Sequence, residues 1–231
     1  MSIDTPYLET SVRDQDSGHN IGEAVHVQSF IAALKADDPR DAYAALKLCI
    51  ERGITVKAFR AAATELPIIS DRCRRQMLTA MVRRGDLIRG NPGMIDEELI
   101  RGWRALLPPY AGKKPLTLYR GEGTGNVRRG TYGVSWTALK EVAISFAQGD
   151  WRKDHGGSAL IQVEAPPEAI ICAPARYGNR YGEREYLVDR LVLQKLGIEV
   201  KVLQRFPQMS QRDLESSNSR PDERHEVGES T

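Results

Sequence analysis

The chain has 231 residues, 41% of them hydrophobic and 28% charged, with 33 Lys and Arg against 31 Asp and Glu for a formal net charge of +2. That is the composition of a soluble globular protein of one large or two small domains, and the near balance of charge gives no warrant for general nucleic-acid or membrane affinity. No apolar run reaches the roughly 18 to 20 residues that a spanning helix requires, and the polar, acidic stretch 1–20 lacks the apolar segment of a secretory signal.

The polar lead, 1–22, reads as flexible. Residues 23–110 read as a helical lobe. Val27, Phe30, Ile31 and Leu34 recur at spacings of three and four, and Tyr43, Ala44, Leu46 and Leu48 do so less regularly. Asp38 followed by Pro39 suits a helix start. Ser70 suits the cap of a third helix carrying Met77, Leu78 and Val82, with Gly85 at its end. A last helix over 95–107 is stopped by Pro108 and Pro109. Four or five helices are expected, as a separate lobe or as a collar packed on the second half. The basic cluster Arg72, Arg74, Arg75, Arg83 and Arg84 is flanked by Asp71 and Asp86 and has no interleaved aromatics, so it reads as a solvated helix face.

From Leu116 the rhythm changes to short β-like runs at 116–120, 132–136, 158–164, 169–172, 184–188 and 198–203. One helix interrupts them, with Thr137 as its cap and Leu139, Val142, Ala143 and Phe146 as its apolar stripe. The expected class is therefore α+β: a helical lobe, then a mostly β domain over 111–205 clasped by one helix. The Ser-, Arg- and Glu-rich stretch 206–231 reads as a disordered tail. Gly121, Gly123 and Gly125 follow a strand, but the third glycine of a dinucleotide-binding turn is missing and no helix is expected after them, so a Rossmann reading fails. Cys49, Cys73 and Cys172 have no metal-ligand spacing and read as reduced core thiols of a cytoplasmic protein without a zinc site. Delivery into another cell by a route that needs no signal peptide stays open.

Three segments combine β patterning with a polar side chain. In Leu116-Thr117-Leu118-Tyr119-Arg120-Gly121, alternation sends Arg120 to the side of Leu116 and Leu118, where a guanidinium must be paired. Tyr132-Gly133-Val134-Ser135-Trp136-Thr137 presents a serine, and Gly133 leaves room for close approach of backbone or ligand. Gly182-Glu183-Arg184-Glu185-Tyr186-Leu187-Val188 presents two carboxylates, on one side if the backbone is extended. An arginine, a serine and two carboxylates at such strand ends make a converging cleft.

In this order, Tyr-Arg-Gly, then Ser-Trp-Thr with a helix containing Phe-Ala, then Glu-x-Glu, the chain resembles the arginine-serine-glutamate class of ADP-ribosyltransferases, bacterial or phage mono-ADP-ribosyltransferases among them. The resemblance covers residues 115–204. It implies a split β-sandwich with NAD as co-substrate and a protein side chain as acceptor. Where that family reads Ser-Thr-Ser, this chain reads Ser135-Trp136-Thr137, which keeps the leading hydroxyl.

With NAD as ligand, Arg120 is the candidate to grip pyrophosphate oxygens through its planar fork, beside Gly121. Glu185 takes the family's glutamate role, stabilising the oxocarbenium-like centre that forms when the nicotinamide–ribose bond breaks. Ser135 would orient that carboxylate or the ribose. Glu183 matches the position that goes with arginine as acceptor in the family; it would hold the guanidinium and take its proton as the new bond forms, because an arginine pKa above about 12 rules out prior deprotonation. Thr137 completes the Ser-Trp-Thr segment, and Trp136 and Phe146 either stack on a ring of NAD or belong to the core. Tyr177 and Tyr181 would border the acceptor, and His155 reads as a loop residue. An NAD glycohydrolase, with water as acceptor, and a non-catalytic binding module are the alternatives, and toxin, effector, phage product and regulatory enzyme all remain open as biological roles.

Overall fold

The computed structural model describes residues 12–89, 95–149, 152, 156–174 and 184–210, with no account of side chains at 12–21 or at Val82, Arg83, Asp86, Arg89 and Asp96. The expected lead 1–11, tail 211–231, Glu183, Tyr177, Tyr181 and His155 lie outside the described residues. The chain divides into two compact units, Met1–Tyr110 and Ala111–Thr231.

Among the described residues the first unit holds five helices, α1 (Val12–Lys35), α2 (Pro39–Glu51), α3 (Thr55–Glu65), α4 (Asp71–Arg89) and α5 (Asp96–Leu106). Asp38 accepts from the Arg40 and Asp41 N–H groups at 3.0 Å each and so starts α2, with Pro39 in its first turn. Ser70 Oγ accepts from the Cys73 N–H at 3.2 Å and starts α4. Phe30, Ile31, Leu46, Phe59, Met77 and Leu106 are buried at the centre of the unit.

Three expectations need correction here. Helix α1 begins at Val12, inside the stretch read as a flexible lead. Gly85 does not end α4, which runs on to Arg89 past a non-helical residue, Arg84, at φ −132° and ψ 18°. The helix that Ser70 caps is the fourth rather than the third, because α3 intervenes; its buried face includes Ala58 and Ala62, whose small side chains give a weak periodic signal.

The second unit contains β1 (Leu116–Gly123), α6 (Thr124–Arg129), β2 (Ser135–Thr137), α7 (Lys140–Gln148), β3 (Ser158–Ala165), β4 (Ile170–Cys172), β5 (Glu185–Val188), α8 (Arg190–Lys195) and β6 (Val200–Phe206). Every strand pairing is antiparallel and the order is β4-β5-β2-β1-β3-β6. The class is α+β. Among the described residues the strands form one six-stranded sheet rather than two facing sheets. Its ladder is uneven. Strands β1 and β3 pair along their whole length, from Leu116↔Ala165 to Gly123↔Ser158, whereas β1 and β2 pair only at Tyr119↔Thr137.

Among the described residues the single expected helix is joined by two others, α6 and α8. One of them, α6, does follow the glycine segment after β1, against expectation, but an all-antiparallel sheet still excludes the βαβ unit of a dinucleotide fold. Residue 206 is not tail: Phe206 ends β6 and is buried, and beyond it Arg152 Nε donates to the Pro207 carbonyl while the Met209 N–H donates to that of Arg152.

Helix α7 lies against β1 and β3 through Ala143 and Ala147, which pack with Leu160 and Phe206. Thr137 is not its cap residue; that is Leu139, whose N–H is bound at 3.0 Å by Thr137 Oγ1. Phe146 departs from the expected stripe and is 51% exposed. The cause is the closeness of the contact. A Cβ built on Gly121 would stand 2.3 Å from the Ala147 nitrogen and 2.5 Å from the Ala143 oxygen, so only glycine on the strand facing alanines on the helix allows this approach.

Because the obstructing atoms are backbone, Gly121→Ala has to push α7 off the sheet. We expect a loss of about 1 to 3 kcal/mol, measured as a lower urea midpoint; an unchanged midpoint would mean that α7 is not seated this closely.

Candidate functional site

The site lies where the β1–β2 ladder stops. Leu118, Arg120 and Glu122 alternate along β1 on one face. The Arg120 side chain is 11% exposed, and its Nε donates to Glu122 Oε2 at 2.7 Å. Its Nη1 donates to the Ser135 carbonyl at 2.6 Å, so a side chain bridges β1 and β2 beyond their one ladder pair.

Ser135 then reaches the third strand. Its Oγ donates to Glu185 Oε1 at 2.6 Å. Register explains the contact: Thr137 lies opposite Glu185 and Ser135 opposite Leu187, so Ser135 and Glu185 are diagonal neighbours on one face of the β2–β5 pair. Arg120, Ser135 and Glu185 thus form one hydrogen-bonded chain across three strands.

Gly133 shapes the floor. A Cβ there would fall 2.6 Å from Arg120 Nη2, so the close approach expected at this glycine is made by the guanidinium. The Gly133 carbonyl accepts from Trp136 Nε1 at 3.2 Å, and the Trp136 ring packs edge-on against Tyr132 with centroids 5.7 Å apart. With 2% of its surface exposed, Trp136 belongs to the core and not to a stacking platform. Thr137 is likewise buried, with its oxygen shaping the turn into α7.

Glu122 is the residue that sequence reasoning missed. It is 0% exposed. Its Oε1 accepts from the Gly123 N–H and from Asn126 Nδ2, and its Oε2 from Arg120 Nε and the Gly133 N–H, the three bonds other than the Arg120 one each at 2.9 Å. Burial alone would push this carboxyl up, but the Arg120 guanidinium, the Asn126 amide and the Gly133 N–H outweigh it and hold it below the ordinary carboxylate range. The signal was present: strand alternation puts residue 122 on the side of residue 120.

Glu183 lies outside the described residues, and the residue after it is not in extended backbone. Arg184 has φ +43°, in the left-handed region, so extended alternation does not run through it. The Arg184 carbonyl accepts from the Ala138 N–H at 3.3 Å. The three cysteines are free and buried; burial pushes the Cys49 thiol up to about 11 and that of Cys172 to about 12, which suits neither for nucleophilic work. Among the described residues no three His, Cys, Asp or Glu side chains gather as a metal site, and no helix is long and apolar enough to cross a membrane.

Comparison of the chain with protein-family models, with curated proteins and with solved structures finds no match.

The lowered pKa of Glu122 gives a pH dependence of definite sign. Its stabilising contribution is complete above the unfolded carboxyl value, about 4.3, and is lost as pH falls through the lower folded value. The melting-temperature gap between the wild type and Glu122→Gln is expected to narrow below about pH 4. A gap of constant size from neutral pH into that acid range would mean that folding leaves the Glu122 pKa unshifted.

Proposed function

We propose that the second unit transfers ADP-ribose from NAD to a protein side chain, with arginine as the acceptor. The observation that carries this reading is the hydrogen-bonded chain from Arg120 through Ser135 to Glu185. The sequence resemblance names the same three residues, and they are far apart along the chain.

Loss of nicotinamide leaves positive charge on the ribose C1′ and its ring oxygen, and the electron pair of the broken bond stays on the nicotinamide nitrogen. Glu185 is half-buried, so its negative charge acts through less water than a fully exposed carboxylate would. Ser135, by donating to Oε1, restrains the carboxylate before the reaction and so lowers the cost of orienting it. The acceptor guanidinium nitrogen then bonds C1′ and releases a proton to Glu183, a role taken from the resemblance alone.

Arg120 acts here within the protein more than on the ligand. Its Nε and Nη1 already donate within the protein, so a bidentate grip on pyrophosphate would have to share or displace these bonds. Its part in this reading is to hold Ser135, and through it Glu185.

Labelled NAD incubated with the protein and a cell lysate, then resolved on a denaturing gel, tests the reading. A labelled band is expected with the wild type and none with Glu185→Gln, while Ser135→Ala lowers labelling by roughly 10- to 100-fold. Free ADP-ribose without a band would identify a glycohydrolase instead, and intact NAD with no rise in melting temperature on adding NAD would favour a binding module.

A further inference from the structure

We propose that Glu122 is the positioning residue of this site, acting through Arg120; the inference deepens the function proposed above and rests on it for its kinetic consequence. A carboxylate without solvent needs a donor for each lone pair it presents, and Glu122 has four. Those donors come from β1 itself, from α6 through Asn126, and from the segment before β2 through Gly133. One side chain therefore ties three pieces of backbone together.

Its hold on Arg120 sets the site. With Nε fixed on Glu122 Oε2, the planar guanidinium has one orientation, and that orientation delivers Nη1 to the Ser135 carbonyl. Ser135 in turn restrains Glu185. Fully buried, Glu122 does not touch a substrate itself, so its effect on the reaction passes through these neighbours.

Glutamine cannot take its place. The amide has one oxygen for two donors, and whichever way it turns its NH2 opposes a backbone N–H, that of Gly123 or that of Gly133. The misplaced Arg120 then releases Ser135. Turnover should suffer and NAD binding should not.

Nicotinamide release from NAD is measured for the wild type, Glu122→Gln, Arg120→Lys and the double variant, at a temperature where circular dichroism shows each folded. For Glu122→Gln we expect kcat to fall roughly 10- to 100-fold with KM for NAD moved less than about threefold. The double variant should lose no more than the worse single one, because Glu122 has nothing to act through once Arg120 is gone. Near-normal kcat in Glu122→Gln, or losses that multiply in the double variant, would overturn the proposal. Should Glu122→Gln fail to fold, Glu122→Asp, one methylene too short to reach both donor pairs, carries the same cycle. A wild type that never cleaves NAD sinks the enzymatic reading, and the positioning role is then decided by nitrogen-15 spectra of arginine: a protected Arg120 Nε–H lost in Glu122→Asp upholds it, and one that persists refutes it.

Discussion

The buried ion pair of Glu122 and Arg120 is the constraint around which the second unit is organised. Removing two charges from water costs several kcal/mol per ion, and their attraction offsets this only when the remaining donors and acceptors are also satisfied. Here the carboxylate is fully hydrogen-bonded, and the guanidinium also donates to the Ser135 carbonyl. Truncating either partner alone leaves a buried charge without its counterpart, typically worth about 3 to 5 kcal/mol. The two positions therefore tolerate change only together.

That pair sits where the sheet is least continuous. On one side β1 is laddered to β3 over its full length; on the other it meets β2 at a single residue pair. Beyond that pair side chains take over from backbone in joining the two halves of the sheet: Arg120 to the Ser135 carbonyl, and the Gly133 N–H to Glu122. Side-chain bonds are directional, so the geometry here is set by these few groups and not by a continued ladder. Helix α7 reinforces the fixed half by lying on β1 at Gly121. The candidate site thus has a fully laddered strand on one side and, on the other, strands joined to it mainly by a few specific polar contacts.

Much of this was legible in the chain because the rules involved are local. Alternation was enough to say that Arg120 points inward and must be paired, and Asp38 and Ser70 cap helices as their chemistry requires. What escaped needed three dimensions or a rule pushed too far. Glu122 was reachable by the alternation applied to Arg120, yet a carboxylate beside three glycines reads as loop. The pairing of Glu183 with Glu185 relied on extended backbone, which Arg184 breaks. Phe146 looked like core from its spacing, and only the closeness of α7 to Gly121 turns it outward, a distance that no periodicity encodes. Short α6 has too few residues for a helical repeat to be counted.

The buried thiols give each unit its own internal gauge. Cys49 and Cys73 lie in the first unit and Cys172 in the second, all shielded and all biased by burial toward the unreactive protonated form. An alkylating reagent then modifies each only when the fold around it opens, and mass spectrometry of the peptides separates the positions. The opening of each unit can thus be followed at cysteines the chain already carries.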